Sequence, residues 1–172
     1  RGLVHKCFSD QKQHDAVEFF EKFFDAARAV EMEAGRYGLW GGAQIDVTKV
    51  THADRVFRFI EETRRRCKGC QKVRSWYAAK RVLQLEAREV DGGALTISEM
   101  YLAGYASEEQ EMGCEDCQKD TVHASQSRVV GVPNVLVLRI KRGPGPRVPV
   151  AVEEHLDMPG MLPMHLIGVV YH

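Results

Sequence analysis

One amphipathic helix, a strand-dominated remainder and two Cys-x-x-Cys turns far apart in the chain predict an α+β fold with a metal-pinned sheet. The helix covers residues 14–34. Val17, Phe20, Phe23, Phe24, Ala27 and Val30 recur at three- and four-residue steps and predict one bulky apolar stripe. Ser9 or Asp10 is placed to cap its start, and Gly35 stands where it should stop. Residues 35–56 are Gly-rich and weakly patterned, and read as a loop or a variable insertion. Val56-Phe57-Arg58-Phe59-Ile60 reads as a strand, and two alternating stretches lie between Trp76 and Val90. Thr96-Ile97-Ser98-Glu99 is a capping box that opens a short helix through Met100, Leu102, Ala103 and Tyr105. Val129 to Ile140 holds the strongest strand signal, a nearly continuous apolar run that predicts burial on both faces. Val148–Val152 and Leu166–Val170 are two further strand candidates.

Composition sets the bounds. The 172 residues are 44% hydrophobic and 28% charged, enough apolar content for a core at one-domain length. Formal net charge is zero, so the totals argue for neither a nucleic-acid nor a membrane partner. No apolar run approaches the length of a bilayer span, and no signal peptide is visible. The first residue is Arg1 and the last residues, Val169-Val170-Tyr171-His172, form a strand-like run, so both ends read as cuts through a larger molecule.

Cysteine usage is the sharpest signal. Four of the five cysteines form Cys67-Lys68-Gly69-Cys70 and Cys114-Glu115-Asp116-Cys117. Two residues between thiolates let both reach one ion, with Gly69 relieving the turn, and two such turns supply the four sulfurs of a tetrahedral structural Zn2+. Four thiolates leave no open position, so the metal should hold structure and do no chemistry. The first turn sits among Arg64, Arg65, Arg66, Lys68, Lys72 and Arg74, the second among Glu108, Glu109, Glu111, Glu115, Asp116 and Asp120, so the two should attract. Alternatives are four unrelated buried thiols or a redox pair. Neither Cys-x-x-Cys lies in a strand–turn–helix pattern, which disfavours redox chemistry. Retained thiols imply a reducing compartment, cytoplasm or nucleus.

Several stretches, in order, resemble the ubiquitin-specific protease family (ubiquitin carboxyl-terminal hydrolases, peptidase C19). Gln13-His14-Asp15-Ala16-Val17-Glu18-Phe19 is similar to its Gln-Gln-Asp-Ala-x-Glu-Phe motif, with His14 for the second Gln. Phe57-Arg58-Phe59 through Cys70, and Glu111 through Cys117, resemble the halves of its zinc finger. Val132-Pro133-Asn134-Val135 through Lys141-Arg142 and Leu166 through His172 resemble two of its strands. Phe19-Phe20, Phe57-Arg58-Phe59 and Val148-Pro149 leading to Leu156-Asp157-Met158-Pro159 resemble isopeptidase T and its relatives, which take apart unanchored ubiquitin chains.

The resemblance implies part of a papain-like cysteine protease fold of thumb, palm and fingers. Residues 14–34 would be a thumb helix, 57–128 the zinc-tipped fingers and 129–172 palm strands. It implies ubiquitin or polyubiquitin as partner, with Asp15 and Glu18 facing ubiquitin's basic C-terminal tail. The parent reaction would be hydrolysis of the isopeptide bond after ubiquitin's terminal glycine. The family's Asn-x-x-Cys box and Gly-His-Tyr box are both absent, so no catalytic residue is expected within this chain. Cys7 lies too close to the Gln-Asp motif to match the nucleophile, and His172 matches a non-catalytic position. His14, His52, His123, His155 and His165 have no ligand-like spacing. The chain alone should be inactive and should fold poorly. Competing readings are a catalytically inactive ubiquitin-binding or scaffold module and an unrelated zinc-ribbon interaction domain. The latter leaves the Gln-Asp helix unexplained.

Overall fold

A computed structural model describes residues 15–42, 45–88, 93–142, 148–159 and 161–170, with side chains left aside at 37–49. The class is α+β, and the largest element is a four-stranded antiparallel sheet.

Helix α1 spans Ala16–Glu33. Its cap is Asp15, whose carboxylate accepts from the Val17 N–H at 2.7 Å; Ser9 and Asp10 lie outside the described residues. Ala34 closes the helix and Gly35 follows at φ +66°, a left-handed residue that glycine adopts without steric cost. The expected stripe is narrower than its spacing suggests. Phe24 is buried, but Phe23 and Val30 are exposed. What packs is a three-ring cluster: Phe57 meets Phe20 and Phe24 edge-on, with centroids 5.3 and 6.0 Å apart. The Arg81 guanidinium covers Phe24 at 3.9 Å.

The 35–56 loop is not observed. Strands β1 (Tyr37–Gly42) and β2 (Ile45–Thr51) pair as an antiparallel hairpin, and α2 (His52–Phe57) follows directly. Thr51 and Asp54 form a reciprocal capping box, so Val56 and Phe57 are helical and not the start of a strand. Asp54 is buried. It accepts from the Thr51 N–H and hydroxyl at 3.0 Å each and from Arg28 at 3.3 Å, with Arg58 at 3.8 Å.

Strand β3 (Phe59–Cys67) organises the sheet. It pairs on one side with β4 (Val73–Lys80) and on the other with β8 (Lys119–Gly131), which in turn pairs with β7 (Glu108–Cys114), giving the order β4-β3-β8-β7. At its base β3 carries two adjacent carboxylates, Glu61 and Glu62, both buried. They point to opposite faces of the sheet, as the period of two requires, and each is satisfied. Glu61 takes Lys80 and the Tyr105 hydroxyl, the latter at 2.6 Å. Glu62 takes Arg64 at 2.9 Å, Tyr77 at 3.0 Å and Arg128 at 2.6 Å. Tyr77 and Arg128 are its direct cross-strand neighbours.

The main core lies beside this base. β5 (Val82–Ala87) and β9 (Val137–Arg142) pair in parallel, as do β6 (Leu95–Thr96) and β10 (Val150–Ala151). Helix α3 (Ile97–Gly104) opens on the expected Thr96–Glu99 capping box and packs on β5. Leu83, Leu85, Ile97, Met100, Tyr101, Val129, Leu156 and Met158 meet with Phe59 in one cluster. The run expected from Val129 to Ile140 divides: β8 ends at Gly131, Pro133 follows, and β9 begins at Val137. β9 pairs only with β5 among the described residues, and Val137, Leu138 and Ile140 are half-buried and not enclosed on both faces. β11 (His155–Leu156) and β12 (Met164–His165) form a last antiparallel contact. The strand expected at Leu166–Val170 is not formed. Ile167 is 82% and Val170 78% exposed, and an apolar run without a strand to pair with does not make a sheet.

Candidate metal centre

Two hairpin tips bring the four cysteines together. Cys67 ends β3 and Cys70 closes the turn into β4; Cys114 ends β7 and Cys117 lies in the turn into β8. Because β3 and β8 are neighbours, with Cys67 opposite His123, the tips meet at one end of the sheet. All four sulfurs lie within 4.8 Å of one another, the one such cluster of His, Cys, Asp and Glu among the described residues. Cys67 and Cys117 are 3.7 Å apart, and Cys70 and Cys114 are 3.8 Å apart. A tetrahedron with bonds of about 2.3 Å to zinc has sulfur–sulfur edges of about 3.8 Å. Two of the six edges match that value and the others lie within 4.8 Å, so the residues fit a four-thiolate ion.

The turns are built alike. Each reads Cys-x-x-Cys-Gln-Lys, at 67–72 and 114–119. Gln71 and Gln118 both take left-handed backbone angles, φ 62° and 54°. Their N–H groups donate to the carbonyls of Cys67 and Cys114 at 2.9 and 2.8 Å. Their side-chain amides reach back to the Lys68 and Glu115 carbonyls. A left-handed non-glycine residue is uncommon, and the side-chain bond offsets its cost. The repeated Gln-Lys was the sequence signal for this construction, and spacing of cysteines alone does not reveal it.

Gly69 serves by its size and not by its backbone angle, since it has no positive φ. A Cβ there would lie 3.1 Å from Cys117 Sγ and 3.1 Å from Thr121 Cγ2. Gly69→Ala is expected to weaken metal binding about three- to tenfold by pushing a ligand sulfur outward, measured by competition with a chromophoric chelator. Unchanged affinity would show that the sulfur shifts freely.

Electrostatics prepare the site. The Thr121 hydroxyl lies 3.2 Å from Cys67 Sγ, and it and the Cys70 N–H hold the Cys67 thiol down at about 5. Burial and the neighbouring sulfurs push Cys117 up to about 12. Without metal, Cys67 therefore gives up its proton far more readily than Cys117, whose thiolate a cation would favour. The expected attraction between the tips is present: Lys68 pairs with Glu109, Lys72 with Asp116, and Arg74 with Glu115 at 2.8 Å and Asp116 at 3.4 Å. Arg64 instead turns to Glu62. These exposed pairs contribute little each.

The other residues singled out in the sequence lie elsewhere. Asp15 caps α1 and also pairs with Arg139 at 2.6 Å, while Glu18 is exposed one turn along. His123 is buried, its Nδ1 3.0 Å from the Thr121 carbonyl oxygen. His155 and His165 face each other across β11 and β12 with centroids 4.7 Å apart. Cys7, His14 and His172 lie outside the described residues. A cavity of about 350 Å³ between α1 and the β4–β5 junction is lined by Glu21, Arg28, Arg58, Lys80 and Arg81. Its cations are matched by Asp54, Glu61 and Asp25. Among the described residues no helix is long and apolar enough to cross a membrane.

Comparison with known proteins adds the family. No curated protein matches the chain. Among solved structures, the Neurospora crassa Pan2 catalytic unit (protease and nuclease domain) is similar over 50% of this chain at 21% identity and a TM-score of 0.42. The match spans 14% of that chain, and a likeness at that level bears on neither mechanism nor partner. The ubiquitin carboxyl-terminal hydrolase family model matches residues 2–165. That match runs through α1, both cysteine turns and the strands of the core, and the chain belongs to the ubiquitin carboxyl-terminal hydrolase family.

Proposed function

We propose that this chain is the ubiquitin-gripping portion of a cysteine-type deubiquitinase, its sheet pinned at the tip by a structural Zn2+ on Cys67, Cys70, Cys114 and Cys117. The observation that carries the reading is the family match over residues 2–165 together with four cysteine sulfurs gathered within 4.8 Å of one another. Zn2+ supplies no chemistry there; it fixes the relative position of two hairpins. Residues 57–128 serve as fingers around the globular body of ubiquitin, residues 14–34 as a thumb helix, and 129–172 as palm strands.

Asp15 and Glu18 face the basic C-terminal tail of ubiquitin. Glu18 is exposed and positioned to accept from a guanidinium. Asp15 already holds a cap and Arg139, so an incoming guanidinium must share it. No residue of the chain supplies nucleophile or base; the parent enzyme's hydrolysis of the isopeptide bond after ubiquitin's last glycine uses groups from elsewhere.

Titration of 15N-labelled ubiquitin with the zinc-loaded chain tests this. The expected result is shifts on the ubiquitin body and tail, with the tail shifts reduced by Glu18→Lys. An unperturbed ubiquitin spectrum at saturating chain would sink the proposal. A fluorogenic ubiquitin C-terminal amide should show no turnover, and turnover abolished by Cys7→Ala would overturn the assignment of catalysis.

A further inference from the structure

The two outer strands of the four-stranded sheet are treated differently by the sequence. β7 carries Glu108, Glu109 and Glu111, and repeated charge is a common guard on an edge. β4 is eight residues long, contains no Pro or Gly, and pairs with β3 without a register break. Its two cations turn back along their own sheet, Arg74 to Glu115 and Asp116, Lys80 to Glu61. Between them Ser75, Trp76, Ala78 and Ala79 carry no charge. Val73 is 54% and Trp76 44% exposed, and among the described residues no strand pairs on the outer side. An edge of this length with its charges committed internally is a template for another strand.

We propose that β4 is a self-association edge, on which two copies of the chain pair β4 with β4 antiparallel about a two-fold axis. Charge and symmetry choose this occupant. Two β7 edges would set carboxylates against carboxylates. A β4–β7 contact is head-to-tail and cannot close as a two-fold dimer, whereas a β4–β4 contact can. Directly opposed residues of an antiparallel pair share a face, so the axis passes through a residue. On Trp76, Arg74 faces Ala78 of the second copy and Val73 faces Ala79; the like pair Lys80–Lys72 falls at the two ends of the ladder, where Lys72 lies outside β4 and is held by Asp116 and Lys80 by Glu61. On Tyr77, Arg74 would face Lys80. The Trp76 register is therefore the favoured one. One strand pair buries little surface, so the association is weak and concentration-dependent.

Sedimentation velocity of the full chain, from about 1 μM to about 500 μM, should show a monomer–dimer equilibrium. Trp76→Lys places two ammonium groups on the axis and should raise the dimer Kd about tenfold. Crosslinking checks the register independently of that variant's stability. In a Cys7→Ser background, Trp76→Cys should form a disulfide dimer under oxidised glutathione, whereas Ser75→Cys, which faces Tyr77, should form much less. A monomer at every concentration overturns the proposal. So does equal crosslinking at both positions, or a dimer abolished by Glu109→Lys and untouched by Trp76→Lys.

Discussion

Cys114→Ser is expected to empty the metal site and unfold the four-stranded sheet. Three thiolates and a hydroxyl do not replace four thiolates, and the tips of β3–β4 and β7–β8 would then lose the ion proposed to join them. Structural zinc in small fingers contributes about 10–16 kcal/mol of apparent free energy near neutral pH, more than most domains have in reserve. Bound zinc measured by mass spectrometry should fall from one per chain to none, with amides of residues 59–67 and 119–131 losing hydrogen-exchange protection. Cys7→Ser should change neither reading. A zinc-free wild-type chain with an intact sheet would remove the basis of the proposed function.

Glu62→Ala is expected to be the most damaging change at the sheet's base, about 2–3 kcal/mol. The carboxylate is almost fully buried and takes three donors. Arg64 and Arg128 are each more than half exposed, so water recovers part of their solvation, which keeps the loss below that of a sealed ion pair. The same carboxylate gives a pH signature. Although burial alone would raise its pKa, hydrogen bonds from Arg64, Arg128 and Tyr77 hold Glu62 at about 2, below its ordinary 4.5. A folded pKa below the unfolded one means the folded state binds the proton less readily. Its stabilisation is therefore complete above about 4.5 and disappears as pH falls toward 2. Denaturant midpoints of wild type and Glu62→Ala should converge over that window, and a constant gap would show that Glu62 does not titrate there.

What could be read from the sequence was local. Cys67, Cys70, Cys114 and Cys117 announce themselves by spacing, and α1 by its Phe periodicity. The Thr96–Glu99 box and the Thr51–Asp54 box obey one rule, yet only the first was legible, because the second follows a Gly-rich stretch that resembles a loop and uses Asp where Glu is usual. Leu166–Val170 is an apolar run that reads like a strand, but a strand exists only where another lies beside it. The burial of Glu61 and Glu62 was invisible for the same reason. Their partners Tyr105, a hydrogen-bond donor, and Arg128, a cation, come from remote sequence, and nothing local marks a carboxylate that will be covered.

The pairing of β3 with β8 dictates an order of assembly. The hairpins β3–β4 and β7–β8 close over short turns and form on the timescale of local contacts. Joining them requires Thr63 to find Ser127, a separation of 64 residues, before any cross-sheet bond compensates for the lost chain freedom. An ion captured between the two tips makes that search one-ended. With such an ion bound, the remaining registry would close by zippering from Cys67 toward Phe59, and the metal-free chain is expected to refold more slowly than the zinc-loaded one.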